Sequence, residues 1–364
     1  EMRKHGIKLV LGYTVEGFKE KDNGVEVLLK DNPSLQADMV VLAIGVTPDT
    51  VLAKEAGLEL GIKESIVVND RMETSVPDIY AAGDAVQVKH YVTGNDALIS
   101  LAGPANKQGR IIADNICGGD SRYLGSQGSS VIKVFDMTAA TTGINETNAK
   151  KSGLEVDTVI LSPMSHAGYY PGGKVMTMKV VFEKESYRLL GAQIIGYEGV
   201  DKRIDVLATA IHAGLKATQL KDLDLAYAPP YSSAKDPVNM AGFMIDNIAK
   251  GTLKQWHLED MDKISRDKSV VLLDVRTVGE FNRGHMDGFK NIPVDELRER
   301  INEIEKGKPV YLICQSGLRS YIASRILEGN GYETYNFSGG FRFYDAVVND
   351  RALIEKAYAC GMDY

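Results

Sequence analysis

The sequence predicts an α/β protein of two or three domains, with doubly wound sheet text early, an α+β stretch in the middle and a further α/β unit late. Three observations predict it. The 364 residues exceed one ordinary domain. Continuous apolar runs, Met39-Val40-Val41-Leu42-Ala43-Ile44 and Pro309-Val310-Tyr311-Leu312-Ile313, read as strands buried on both faces. A strand-like run gives way to helical text through a short loop, as at Pro309–Ile313 and Ser320–Leu327.

Taken in order, the first ten residues, Glu1 to Val10, read as the tail of a helix and a following strand. Val25-Glu26-Val27-Leu28-Leu29-Lys30 reads as a strand, and Met39 to Gly45 as another. Val76-Pro77-Asp78-Ile79-Tyr80-Ala81-Ala82-Gly83-Asp84-Ala85 reads as a strand delivering a Gly-Asp pair at its carboxyl end, where ligands bind in doubly wound sheets. A carboxylate there can accept from sugar-like hydroxyls, and a glycine lets backbone approach a phosphate. Leu101-Ala102-Gly103-Pro104-Ala105 opens a helix. Gly125 to Ser130 is a small-residue linker. Val131–Phe135, Lys174–Phe182 and Leu189–Gly196 read as strands, and Ile204–Ile211 as a helix. Trp256–Asp262 suits a polar tether. Val270–Arg276 reads as a strand ending in charge, Pro309–Ile313 as a buried strand and Ser320–Leu327 as a helix.

Between those last two stands Cys314-Gln315-Ser316-Gly317-Leu318-Arg319. A cysteine between a strand and a helix start meets unpaired backbone N–H groups and the positive end of a helix dipole. Arg319 adds a positive charge. All three favour a thiolate, the nucleophilic form. This reading requires a sulfur that solvent can reach.

Net charge is −7 with mixed signs and no basic cluster, against nucleic-acid binding. No apolar run approaches the roughly 20 residues of a membrane span, and no signal peptide is recognisable. Three cysteines, Cys117, Cys314 and Cys360, form no disulfide framework and no metal-spaced cluster, so no metal is expected and a reducing, cytoplasmic setting fits. Cys117 reads as packing at a helix end, and Cys360 as incidental.

Asp274-Val275-Arg276, Glu280-Phe281, Gly284-His285-Met286-Asp287-Gly288, Asn291-Ile292-Pro293 and the Cys-x-x-Gly-x-Arg-Ser text resemble, in that order, a rhodanese domain. The resemblance implies a persulfide on Cys314, with Arg319 in the catalytic loop. Asp274, Arg276 and Glu280 read as structural braces and His285 as a turn residue.

Ala43-Ile44-Gly45-Val46-Thr47-Pro48 followed by Thr74-Ser75-Val76-Pro77-Asp78-Ile79-Tyr80-Ala81-Ala82-Gly83-Asp84-Ala85 resembles the pyridine nucleotide-disulfide oxidoreductase flavoproteins. The resemblance implies FAD and NAD(P)H as cofactors, with Gly45, Gly83, Asp84 and Ala102 binding the flavin. The helix opening at Ala102 would face the flavin pyrimidine oxygen. No G-x-G-x-x-G occurs, and the family's redox cysteine is not found. The expectation is therefore a chain whose amino-terminal part is missing. The domains are expected at 1–44 (end of an NAD(P)-binding domain), 45–127 (second half of an FAD-binding domain), 128–252 (dimerisation) and 256–350 (rhodanese-like).

His166-Ala167-Gly168-Tyr169-Tyr170 and Ala226-Tyr227-Ala228-Pro229-Pro230-Tyr231, with the fused rhodanese, resemble coenzyme A-disulfide reductases and NADH-dependent persulfide reductases. That implies a homodimer in which Tyr169 and Tyr227 flank the coenzyme A sulfur of a small-molecule disulfide or persulfide. A phenol can donate to a departing thiolate without carrying charge. Tyr170 and Tyr231 carry less of this argument, and His166 and His212 read as structural. Two other readings stay open: an NADH oxidase or peroxidase, and a sulfur-carrier or docking module on a dimer scaffold.

Overall fold

In the computed structural model, residues 1–349 are described. Cys360 and the last residue of the expected 256–350 segment lie outside them. Four sheets organise these residues.

The largest core belongs to the middle of the chain. A five-stranded antiparallel sheet runs in the order Ser130–Val134, Met137–Gly143, Leu189–Gly196, Met176–Glu183 and Val156–Leu161. Met176, Met178 and Val180 alternate inward along one strand, the period of two that half-buried strands show. Helix Val200–His212 covers the sheet with Val200, Arg203, Ile204, Leu207, Ala210 and Ile211. That spacing is a single helical face, with a charged residue in one apolar slot. Helix Pro237–Ala249 starts on an Asp236 side chain that accepts from the Val238 N–H, with proline at the first position. Leu190, Ile194, Leu207, Val238 and Ile245 are fully buried here, and each contributes roughly 1.5–3 kcal/mol by leaving water.

The last unit is a parallel sheet in the order Gln255–Trp256, Thr334–Phe337, Val310–Ile313, Val271–Asp274 and Lys290–Asn291. Val310, Leu312 and Ile313 have no exposed surface, as a central strand between covered faces requires. Helix Leu318–Glu328 buries Ser320, Ala323, Ser324 and Leu327 on it. Residues 340–349 are helical.

Several expectations are corrected. Met39–Gly45 is not a strand; Val41, Leu42 and Ile44 are 76%, 65% and 91% exposed. A run of this kind needs strands on both sides, and none of the described residues pairs with it. The first ten residues form one turn, Arg3–His5, and no strand; the first strand is Val15–Lys21. Tyr80 makes only an isolated bridge to Glu73, and the strand, Val86–Lys89, comes after the Gly-Asp pair rather than before it. Ser126 in the expected linker is buried and bridges to His90. Trp256 is 2% exposed and extends the parallel sheet, so Trp256–Asp262 begins as packed structure instead of a tether. Cys117 ends helix Ala102–Ile116 as expected but is exposed. Strands Met137–Gly143 and Val156–Leu161 and helix Pro237–Ala249 add to the elements expected in the middle unit.

Candidate functional site

Cys314 ends the central parallel strand, and the loop to Gly317 turns into helix Leu318–Glu328. Two donors reach its sulfur: the Gly317 N–H at 3.1 Å and the Ser320 hydroxyl at 3.2 Å. The Ser320 hydroxyl also lies 3.1 Å from the Gly317 carbonyl. From below, the Phe341 N–H donates to the Cys314 carbonyl at 2.8 Å and the Arg342 N–H to that of Gln315 at 3.2 Å. The sulfur is enclosed; Cys314 is 1% exposed. This corrects the expectation of a solvent-open sulfur: the strand end sinks the side chain among Leu312, Ala323 and Leu327. A cavity of about 420 Å³ opens beside the loop, lined by Arg276, Glu280, Arg283, Gln315, Phe341 and Arg342 among others.

Arg319 does not touch the sulfur among the described contacts. Glu280 takes both its terminal nitrogens, at 2.7 Å each. That pairing raises the guanidinium's pKa further and draws Glu280 down to about 2. Asp274 and Arg276 form a buried ion pair at 2.7 Å. Arg276 also donates to the Gly284 carbonyl at 2.8 Å, and its guanidinium lies 3.8 Å from the Phe341 ring centre. These contacts brace the two loops flanking Cys314. His285 stacks on Phe281 and is 3.1 Å from its carbonyl.

In the middle unit, Tyr169 and Tyr227 come from loops 58 residues apart, yet their hydroxyl oxygens are 2.7 Å from each other. Both are exposed. The hydrogen bond with Tyr169 raises the Tyr227 pKa above the ordinary phenol value, with burial and the Tyr169 charge adding to it. Tyr227 and Tyr231 line a cleft of about 560 Å³ with His166, Lys202 and Arg203 among others. Tyr170 packs edge-on against His166, and His212 stacks on Tyr91.

Gly83 and Asp84 lie against helix Ala102–Ile116, where the Gln108 side-chain oxygen accepts from the Gly83 N–H at 2.7 Å. The helix has no side-chain cap, Ala102 is exposed at its start, and the Asp84 side chain is exposed beside it. Gly45 sits in the exposed extended segment, and no hydrogen bond or strand pairing among the described residues links it to this group. Glu1, His5 and Asp136 bring donor atoms within 4.8 Å of one another, a grouping that sequence spacing does not reveal.

The pyridine nucleotide-disulphide oxidoreductase family matches residues 1–109, and its dimerisation domain matches residues 129–237. The chain belongs to that family. A rhodanese-like domain matches residues 257–346. The crystal structure of reduced Bacillus anthracis CoADR-RHD is 46% identical, with a TM-score of 0.92 over 96% of this chain and 62% of that one. The NAD-dependent persulfide reductase from A. fulgidus is 40% identical, with a TM-score of 0.85 over 94% of this chain and 63% of that one. The NAD(P)H sulfur oxidoreductase (CoA-dependent) of Pyrococcus abyssi is 37% identical over 238 residues, 65% of this chain and 53% of that protein. The chain spans about half the length of the curated relatives it matches.

Sequence reasoning left several residues of these candidate sites without a role. Ser320 follows the loop arginine, but only the helical turn shows its hydroxyl returning to the sulfur. Gly340 supports the Cys314 loop from 26 residues further along the chain, and no local pattern connects them. Arg203 occupies an apolar helical slot, and that interruption of the pattern is a signal that could have been found.

Proposed function

We propose that the protein is a homodimeric, FAD-dependent NAD(P)H reductase of coenzyme A disulfide or persulfide substrates, coupled to sulfur transfer at Cys314. The observation that carries the sulfur chemistry is the pair of donors converging on Cys314 Sγ at a parallel strand's carboxyl end. They are placed to hold an anionic sulfur or the inner sulfur of a persulfide. A second sulfur bonded to Sγ would extend the side chain by about 2 Å. Loop movement around Gln315–Gly317 would expose it to the adjacent cavity.

The Tyr169–Tyr227 pair supports a sulfur substrate over oxygen. One hydroxyl donates to the other, which leaves a second proton free for a departing thiolate. The raised pKa keeps Tyr227 neutral and protonated, the donor form. An uncapped helix start beside an exposed carboxylate fits a flavin: Asp84 would accept from hydroxyls, while the first N–H groups of the helix would meet a carbonyl oxygen. When bound, FAD supplies the two-electron chemistry between nicotinamide nucleotide and sulfur. No described helix is long and apolar enough to cross a membrane. Cys117 and Cys314 are free thiols, which accords with a reducing cytoplasm.

The test is sulfur transfer to cyanide. The Cys314 persulfide would give its outer sulfur to cyanide, forming thiocyanate and returning the thiolate. Thiocyanate production is expected with a persulfide or thiosulfate donor, and its loss in Cys314→Ala. Undiminished production in that variant would end the proposal.

A further inference from the structure

Both tyrosine loops are anchored on one buried guanidinium. Arg203 is 1% exposed within helix Val200–His212. Its Nη2 donates to the Ser165 carbonyl at 2.9 Å, at the start of the segment that carries Tyr169. The same nitrogen lies 3.1 Å from Ser232 Oγ and 3.0 Å from Asp236 Oδ2, at the end of the segment that carries Tyr227. Ser232 completes the join: its hydroxyl donates to Asp236 at 2.7 Å, and its carbonyl accepts from the Ala167 N–H at 2.9 Å. Nη1 donates to the Gly199 carbonyl at 3.2 Å. Gly199 is left-handed, with φ +68°, and a Cβ there would stand 2.1 Å from Nη1, so a larger residue would have to push the guanidinium from its place.

This is a costly way to fill a core. Arg203 Nε is buried without a partner, and a buried ion pair is often no more stable than apolar side chains of similar size. What the guanidinium supplies is a single nitrogen, Nη2, on which two loops that no strand pairing joins converge, held in place by Nη1 on the Gly199 carbonyl at the helix start.

We propose that Arg203 is a positioning residue for the Tyr169–Tyr227 pair: it sets the separation of the two loops and so holds the hydroxyls in contact. This rests on reading the pair as the donor to a leaving thiolate. Arg203 itself touches no substrate.

The test uses the full chain labelled with 13C at the tyrosine ζ-carbons and titrated by NMR, with Tyr169→Phe and Tyr227→Phe assigning the signals. Arg203→Lys keeps the charge beside Asp236 but loses the Nη1 bond to Gly199 that fixes where Nη2 stands. The Tyr227 midpoint is expected to fall by about half a pH unit, the lower end of a hydrogen bond's worth. Ser232→Ala, which leaves the Arg203–Asp236 pair intact, is expected to shift it in the same direction by less, and it decides the matter should Arg203→Lys fail to fold. An unmoved Tyr227 midpoint in a variant with native circular dichroism overturns the positioning role. The functional reading fails separately: if Tyr227→Phe in the FAD-loaded enzyme turns over coenzyme A disulfide with unchanged kcat, the pair is no donor, whatever the titration shows.

Discussion

Arg319 and Glu280 face each other fork to fork, with both nitrogen–oxygen distances at 2.7 Å. The pair joins the first turn of helix Leu318–Glu328 to helix Val278–Arg283, beside the loop that begins at Cys314. Glu280 also accepts from the Thr277 N–H and hydroxyl, so one carboxylate caps its own helix and holds the neighbouring arginine. The charge that sequence reasoning gave to the sulfur is thus largely cancelled by Glu280. The sulfur is left to an amide and a hydroxyl.

Glu280→Gln should destabilise the rhodanese-like domain by about 1 kcal/mol at pH 7, since the pair is partly exposed and screened. Arg319 first, and Thr277 after it, holds Glu280 at about 2 against an ordinary 4.5. A depressed carboxyl pKa stabilises the fold above the unfolded value and loses that contribution as pH falls toward the folded one. Denaturant melts of the two proteins should therefore differ at pH 7 and converge as pH falls below about 4.5. A gap that stays constant down to pH 3 would show that Glu280 acts through packing alone.

Tyr169→Phe should bring the Tyr227 titration down toward about 10, the ordinary phenol value. The Tyr169 hydroxyl is the leading cause of the upward shift. Because the folded pKa is raised, the bond's contribution is complete at neutral pH and fades as pH rises through the folded value. Ultraviolet difference titration of wild type against variant reads this directly. Superimposable curves would mean the two hydroxyls are apart in solution.

The two carboxy-terminal units meet at Asp157. Its carboxylate is 3.2 Å from His257 Nε2, and the Gln255 side chain donates to the Thr158 carbonyl at 2.7 Å. The Ile160 N–H, on the sheet's edge strand, donates to Ser338 Oγ at 3.0 Å. Burial pushes the Asp157 carboxyl up, but hydrogen bonds from His257, Thr158 and Gln255 with the His257 charge outweigh it, and the net shift is downward. This contribution is present above the unfolded carboxyl pKa and lost as pH falls through the lower, folded one. His257→Ala should loosen the junction by about 1 kcal/mol, seen as roughly fivefold faster limited proteolysis near residues 250–257 at pH 7. Cleavage at the wild-type rate would place the junction's stability elsewhere.

Where chemistry is written locally, it was legible. The strand and helix around Cys314 follow from an apolar run and a helical pattern, and both form within two residues of the expected bounds. Tyr169 and Tyr227 were paired by resemblance, and the structure brings their hydroxyls together. Met39–Gly45 shows the converse: an apolar run states a propensity for burial in a sheet, but its neighbours must come from elsewhere. Arg203 stands out in the sequence as a charge on an apolar helical face, but its partners, like those of Gly340, do not. Each acts on residues far away in sequence, and a one-dimensional pattern carries no sign of that contact.

Gly340 makes the last point testable. Its φ is +68°, and a Cβ there would lie 2.7 Å from Ser316 N, 2.8 Å from the Cys314 carbonyl oxygen and 2.8 Å from the Gln315 carbonyl carbon. All three atoms are backbone, so no side chain can swing aside. Gly340→Ala must either lift the sulfur loop or move the start of helix 340–349, and two hydrogen bonds join those parts. Gly331 is the matched control, with φ +82° and nothing within 4 Å of its missing Cβ. Gly331→Ala should cost only the left-handed strain, about 1–2 kcal/mol. Gly340→Ala should cost that and the collision, about 3 kcal/mol or more in denaturant melts. Thiocyanate formation should fall at least tenfold in Gly340→Ala and stay near wild type in Gly331→Ala, because only the first displaces the donors around Cys314. Equal rates in the two variants would mean that the loop does not rest on Gly340.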